Sequence, residues 1–396
     1  MTIAVESSLH ALLARCHALI HSDAIPDDEA GTAIGYFPVY FPEEIVHAAG
    51  LRPHALLGGG NRIEVRYADA RIGSFVCSIC RSTTELGLNG SLKGLGGFYA
   101  QPICDAAKHM AGIWGRNFAE QDPQILALPQ NVNSPAAARY VYDEYQRLRE
   151  TLAGKVGHAI SDEAIRASLR IYNENRRLQR ALYTLKRDDP ARLSAVEAYL
   201  LVRAGTRIRR EQHNELLREA LRLLDERQTR PMDKPRVVFV GGFCEQPPLE
   251  MLETIEDECF IVDDDLLIGQ RWLTEDVPEE GDPVLALAEC YVERSAASPV
   301  QYDARKPKED VLLRMMREAR AEAAIIAAAK FCEPGLDDQL ALSHRLDAEK
   351  IPYLVLEFEE KMTSFEQMAM QVETFAESLL FEEEVPDGQS RHRQRR

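Results

Sequence analysis

The sequence predicts an α/β protein of two Rossmann-like parallel-sheet domains with a helical insert between them, and three observations predict it. From Ala33 to Pro129, short β-rich apolar runs alternate with helical stretches, the pattern of a parallel sheet flanked by helices. From Ser134 to Arg227 the strand signal nearly vanishes and Ala, Leu, Arg and Glu dominate. Near Pro235 the alternation returns. The chain therefore divides into an α/β unit over 1–133, a helical segment over 134–234, a second α/β unit over 235–381 and a disordered tail over 382–396.

In the first unit, strands are expected at Ala33–Phe37, His54–Leu57, Gly97–Ala100 and Gln124–Leu128. Helices are expected between them at about Pro42–Ala49, Cys80–Leu88 and Asp105–Phe118, each with apolar residues three or four apart. The insert carries helix starts such as Ser134-Pro135 and Ser161-Asp162-Glu163 and reads as three or four helices. Its charges alternate in sign, as on a solvated face. Strands resume at Val237–Val240, Cys259–Val262, Ala323–Ala328 and Tyr353–Glu357. The end of the chain, with Glu382-Glu383-Glu384 and a final RHRQRR, has few apolar residues to bury.

A chain of 396 residues with 45% hydrophobic content suits two or three packed units of roughly 100 to 200 residues each. Its longest apolar stretches, such as Ala323 to Ala329, fall far short of the roughly 20 residues that span a bilayer. The N-terminus lacks a charged-then-apolar signal layout. Both points place the chain in the cytoplasm, away from membranes. The formal net charge of -17 argues against a nucleic-acid surface, because neutralising phosphates takes clustered Lys and Arg. Cytoplasmic cysteines usually stay reduced, so the eight here are core residues, catalytic thiols or metal ligands rather than a disulfide framework.

Cys77-Ser78-Ile79-Cys80 alone fits a redox pair, half a zinc site or part of a cluster site. No second CxxC or paired histidine completes a closed zinc site. A thioredoxin-type motif belongs just after the first strand of its fold, whereas this one opens a helix well inside the unit. Cys16, Cys259 and Cys290 lie in apolar or helical runs and read as core residues. Cys104 follows a strand end and opens a helix, and Cys332 follows the strand-like AAIIAAAKF. Cys77, Cys104 and Cys332 thus stand at carboxyl ends of strands, where open α/β sheets bind ligands and where helix N-termini favour anionic groups.

Several motifs join these positions. The run GYFPVYFPEEIVHAAGLRPHALLGGG, then Cys77 with Arg81-Ser82 four and five residues on, QPICD around Cys104 and GIW at Gly112 to Trp114 resemble the family of 2-hydroxyacyl-CoA dehydratases and class I benzoyl-CoA reductases. GGFCEQPPLEMLETIEDECFIVDDDLLIGQR and KFCEP extend the resemblance past the insert to about Leu380. In that family the first cluster ligand stands four residues before the Arg-Ser pair. The resemblance therefore implies Cys77, Cys104 and Cys332 as ligands of an oxygen-sensitive [4Fe-4S] cluster, with Cys80 an extra thiol or alternative ligand. Three thiolates leave one iron without a protein ligand.

The length, RSTTELGLNGSL and Pro129 to Asn131 look most like the smaller cluster-bearing component, of C type or N type, of ATP-dependent benzoyl-CoA reductase. That implies a larger homologous catalytic subunit, ATP-hydrolysing activator subunits, reduced ferredoxin as electron source and an aryl-CoA substrate reduced by two electrons to a cyclic dienoyl-CoA. A dehydratase component, a double-cubane cluster protein and a zinc-binding scaffold are the competing readings. The chain has no GxxxxGK[ST] loop and no GxGxxG fingerprint, so the ATPase must be another chain. His47, His109, Glu64 and Arg66 are weak candidates to face the site and receive no role. Gly58 to Gly60 fit a close turn, and Asp263 to Asp265 fit a helix cap or domain contact better than a metal.

Overall fold

The computed structural model describes residues 2–22, 24–230, 232–359 and 361–383. It contains two four-stranded, wholly parallel sheets. The first comprises β1 (Ala33–Phe37), β2 (Arg52–Ala55), β3 (Leu95–Ala100) and β4 (Pro123–Ile125), in the order β2-β1-β3-β4. The second comprises β5 (Arg236–Val240), β6 (Phe260–Asp264), β7 (Ala323–Ala329) and β8 (Tyr353–Phe358), in the order β6-β5-β7-β8. The two orders are the same, and each reverses direction of growth between its first and third strands, the topological switch point of a doubly wound sheet. Every residue of β1 and β7 is buried, as expected when helices cover both faces of a parallel sheet.

Helices α1 (Thr2–Ile20), α2 (Glu43–Ala48), α3 (Ser78–Leu88) and α4 (Asp105–Asn117) accompany the first sheet in sequence. The insert forms four helices, α5 (Ala137–Val156), α6 (Asp162–Asp188), α7 (Ala195–Ala204) and α8 (Arg210–Glu226). Then come α9 (Leu249–Glu258), α10 (Ile268–Arg271), α11 (Pro283–Arg294), α12 (Lys308–Ala319), α13 (Glu333–Glu349) and α14 (Glu366–Glu383). Local signals set several of these boundaries. Ser161 caps α6 by accepting from the Ala164 N–H, and Ser194 with Glu197 forms a capping box on α7. Gly157, at φ +75°, ends α5. Among the described residues no helix is long and apolar enough to cross a membrane.

The expected β1 is matched to the residue, and most other differences are shifts of boundary. β2 begins two residues early because Arg52 pairs with Ala33 in the ladder, and β4 stops at Ile125. α3 begins at Ser78, not Cys80, so the whole CxxC lies at its first turn. The predicted tail begins within α14, which runs to Glu383; residues 384–396 lie outside the described residues. α1, whose sequence signalled only a buried Cys16, packs against α7 and α8.

One apolar cluster runs through both sheets and the insert, and a smaller one lies between the outer face of the second sheet and α12 and α13. The insert is also fixed to both sheets by buried charges. Arg176 of α6 pairs with Glu44 of α2, and Arg210 of α8 pairs with Glu43. Ten residues along α6, Lys186, wholly buried, pairs with Asp264 at the end of β6. The Tyr183 hydroxyl donates to Asp264 at 2.8 Å, and Arg271 stacks 3.6 Å from the Tyr183 ring. Burial alone would raise the Asp264 carboxyl, but Lys186 and Arg271 outweigh it and the net shift is downward. Between α6, α7 and α8, His213 accepts from Asn175 Nδ2 at 2.9 Å and donates from Nε2 to the Leu201 carbonyl at 2.9 Å. That pattern requires a neutral ring.

Two outcomes follow. Lys186→Met strands a buried carboxylate and is expected to lower unfolding free energy by about 3–5 kcal/mol, read as a fall in thermal midpoint. K186M/D264N should regain part of it, and a K186M protein as stable as wild type would show the pair contributes nothing. The second outcome concerns acid. Burial and then the Arg210 charge lower His213 from 6.5 to about 3, so the unfolded chain takes up this proton first. Its contribution to stability is complete above the unfolded value and is lost as pH falls from there toward about 3. Denaturant melts should show His213→Gln losing about 2 kcal/mol less than wild type between pH 7.5 and pH 5; parallel losses would refute the assignment.

Candidate metal centre

The two switch points face one cavity of about 300 Å³. All four strands that flank them deliver residues to its wall: Phe37 and Pro38 at the end of β1, Ile103 and Cys104 after β3, Phe243 and Cys244 after β5, Phe331 and Cys332 after β7. The first turn of α3 adds Cys77 and Cys80. Two other clefts beside the second sheet, of about 330 and 520 Å³, are lined by a mixture of basic, acidic and apolar side chains and hold no cysteine.

Cys77, Cys104 and Cys332 share a local design: each is the N-cap of a helix, α3, α4 and α13 respectively. Their sulfurs therefore sit where unpaired backbone N–H groups and the positive end of the helix dipole favour negative charge. The Cys104 sulfur accepts from the Ala107 N–H at 3.5 Å. Gly335 keeps space open at Cys332, since a Cβ there would come within 3.2 Å of its sulfur. All three are partly exposed, whereas Cys80 and Cys244 are buried. The Cys77 and Cys80 sulfurs lie 3.5 Å apart.

The wall is locked from the second sheet. Glu245, beside Cys244, accepts from the Ser78 hydroxyl and from the Ile79 N–H at 3.4 Å, capping α3 across the cavity. Within the first sheet, Glu85 accepts from the Arg66, Tyr67 and Ala68 N–H groups at 2.8–3.0 Å and ties the preceding loop to α3.

Electrostatics disfavour free thiolates here. Burial pushes Cys332 up to about 12, with Cys77 and Glu245 nearby adding to it. Cys104 is raised, by burial first and then by Cys77. Cys244 is well above its usual value through burial and the neighbouring Cys332, Cys104 and Cys77; Cys80 is too, through its bond to Cys77 and then burial. Thiolates at these positions need a strong positive partner, which a bound metal would supply. The thiols ring the cavity rather than meet at one point: among the described residues no three Cys, His, Asp or Glu side chains close on a single ion. Soft thiol donors spread around the cavity fit a multi-iron cluster, whose corners take one thiolate each.

The weaker sequence candidates divide. His109 lines the cavity from α4, but His47 is bonded to Ser168 and Glu211, both at 2.9 Å, in the insert. Glu64 pairs with Lys361 at 2.5 Å, and Arg66 contributes its backbone N–H to Glu85. Gly58 and Gly60 take positive φ at a turn. Asp263 and Asp264 make the contact with α6, and Asp265 accepts from the Gly241 N–H. Cys16, Cys259 and Cys290 are in the core. Cys244 is the cavity residue that sequence reasoning missed, although GGFC follows a strand end as KFC does.

Residues 38–379 match the family described as 2-hydroxyglutaryl-CoA dehydratase, D-component. The chain is 35% identical over 377 residues to the C subunit of benzoyl-CoA reductase from Thauera aromatica, covering 93% of this chain and 98% of that protein. It is 28% identical to the beta subunit of lactoyl-CoA dehydratase from Anaerotignum propionicum, over 90% of this chain and 95% of the relative. It is likewise 28% identical to the beta subunit of (R)-2-hydroxyglutaryl-CoA dehydratase from Acidaminococcus fermentans, over 88% and 92%. With nearly its whole length matched and two parallel sheets meeting at a thiol-lined cavity, the chain belongs to the 2-hydroxyglutaryl-CoA dehydratase D-component family.

Proposed function

We propose that this chain is the cluster-bearing smaller subunit of an ATP-dependent, ferredoxin-linked benzoyl-CoA reductase, with Cys77, Cys104 and Cys332 as ligands of a [4Fe-4S] cluster. The observation that carries this reading is the convergence of three helix-capping cysteines, from both sheets, on one cavity. The identity of 35% to a benzoyl-CoA reductase subunit supports the choice of reaction. When bound, such a cluster supplies one-electron transfer at low potential. The chain's own part is to hold three thiolates at helix N-termini, to exclude bulk water with the buried Ile79 and Phe243, and to keep both sheets in register through Glu245.

In this proposal the complex reduces benzoyl-CoA, or a related aryl-CoA, by two electrons to cyclohexa-1,5-diene-1-carbonyl-CoA. The catalytic pair is completed by a larger homologous subunit. Separate activator subunits hydrolyse ATP, and reduced ferredoxin is the electron source in the cytoplasm. Cys77 and Cys80 count as one ligand position: sulfurs 3.5 Å apart are in van der Waals contact, whereas thiolates on two corners of a cube are held well apart by the cube itself. Residues 1–133 and 235–381 act as the two α/β units that contribute ligands, with 134–234 as the brace between them.

The relatives that are dehydratase beta subunits favour a second reading, elimination of water from a 2-hydroxyacyl-CoA without net electron consumption. Turnover of benzoyl-CoA against 2-hydroxyacyl-CoA by the reconstituted complex decides between them. Anaerobically purified protein should be brown, contain iron and acid-labile sulfide, and give a cluster EPR signal after dithionite. C77A, C104A and C332A should each lose most of that iron, while C16A and C290A keep it. Zinc in place of iron, or full loading of all three variants, would sink the proposal.

A further inference from the structure

The CxxC that opens α3 contains one thiol, Cys80, for which the three proposed ligands leave no use. We propose that Cys77 and Cys80 are an oxidation site for peroxide: in the cluster-free protein they close to a disulfide that shields Cys77 from irreversible oxidation. The disulfide stands on the geometry of α3 alone. Its consequence, that Cys77 is withheld from iron until a thiol reductant reopens it, rests on the cluster reading above.

The two sulfurs lie 3.5 Å apart, and closure to a bond of about 2 Å needs only a small rotation of each side chain. The chain places them so because Cys77 is the N-cap of α3 and Cys80 its third residue, and an N-cap side chain folds back over the first turn toward that position. The turn itself is closed, with the Cys80 N–H on the Cys77 carbonyl at 3.2 Å. The two residues between them are anchored as well, since Glu245 accepts from the Ser78 hydroxyl and from the Ile79 N–H at 3.4 Å. Joining the sulfurs therefore leaves the backbone of the motif where it is.

Exposure divides the roles. Cys77 is partly exposed on the cavity wall, and Cys80 is buried behind it at 2% exposure. An accessible thiol beside a resolving one is the arrangement that oxidises reversibly. Peroxide converts the Cys77 thiol to the sulfenic acid and releases one water. The Cys80 sulfur then displaces the hydroxyl as a second water, so two thiols and one hydrogen peroxide give one disulfide and two waters. Cys104 and Cys332 are also partly exposed on this wall, but neither α4 nor α13 contains a second cysteine to resolve them.

Peptide mass spectrometry tests this without an activity assay, because the tryptic peptide 72–81 holds Cys77 and Cys80 and no other cysteine. Cluster-free wild type is treated with a small excess of hydrogen peroxide, then alkylated in denaturant. Peptide 72–81 is expected unalkylated and two hydrogens lighter than the dithiol, and dithiothreitol should restore both thiols. Iron uptake on anaerobic reconstitution should fall as the disulfide forms and return with dithiothreitol. C80S is expected instead to carry Cys77 as sulfinic or sulfonic acid that dithiothreitol does not reverse, with C290A matching wild type. Wild-type peptide with both thiols free, or with Cys77 over-oxidised, would overturn the inference, and neither result needs a variant. So would a disulfide from Cys77 to Cys104 or Cys332, or a C80S protein whose Cys77 is spared. A disulfide in wild type that takes up no iron even when untreated would remove the cluster reading and leave the pair standing.

Discussion

The site depends on a buried ion pair remote from it, that between Lys186 and Asp264. Among the described residues no strand ladder crosses from one sheet to the other, yet Cys332 comes from the second sheet and Cys77 and Cys104 from the first. Something must fix their separation. α6 reaches both, holding Glu44 near its middle through Arg176 and Asp264 near its end through Lys186. Buried pairs of this kind add little net stability over apolar packing, because desolvation offsets most of the attraction. Parting them, however, leaves a bare charge in the core at a cost of about 3–5 kcal/mol. The pairs therefore act less as glue than as a gauge: a shift of one sheet that apolar contacts would tolerate separates Lys186 from its carboxylate.

Given that gauge, the repeated strand order does the rest. Each sheet opens a crevice between its first and third strands, and the crevices face each other. Strand ends that would be separate half-sites become one wall. Contacts at its edge reinforce the alignment: Glu245 reaches from the β5 loop to cap α3, Asn61 donates to the Met362 carbonyl at 2.8 Å, and Lys361 pairs with Glu64. Glu64, to which the sequence assigned no role, is thus part of a clasp between the two sheets.

Much of the fold was legible because parallel strands buried on both faces leave unbroken apolar runs, as AIGYF and AAIIAAA do. Edge strands were read less well. β4 is partly exposed and β2, though buried, carries the polar Arg52 and His54, and their limits follow partners in the ladder rather than their own composition. α1 was not read as an element beyond its core residue Cys16, and nothing local tells where it docks; its partners α7 and α8 lie far along the chain. At the site, the family resemblance picked out Cys77, Cys104 and Cys332, and all three line the cavity. Cys244 was missed because the family motifs that selected the other three assign it no part, and its neighbours Phe243 and Pro247-Pro248 read as a plain loop. The partners Glu245 and Asp265 could not be foreseen, since each acts across a distance in sequence that only the fold closes.

Helix caps explain where the cysteines stand but not how they become thiolates. An N-terminal dipole stabilises a charge by about 0.3–1 kcal/mol, and up to about 2 kcal/mol when partly buried. Raising Cys332 from 9.0 to about 12 corresponds to roughly 4 kcal/mol against the charged form. At Cys332 the cap therefore loses to burial, and the net shift favours the neutral thiol. The role of the caps is steric and directional, fixing each sulfur at a helix start with its Cβ set by the turn. The charge that completes the site has to arrive with the metal. Its binding then couples to proton release and to the clasp between the sheets, because a ligand set drawn from both is satisfied only when they are aligned.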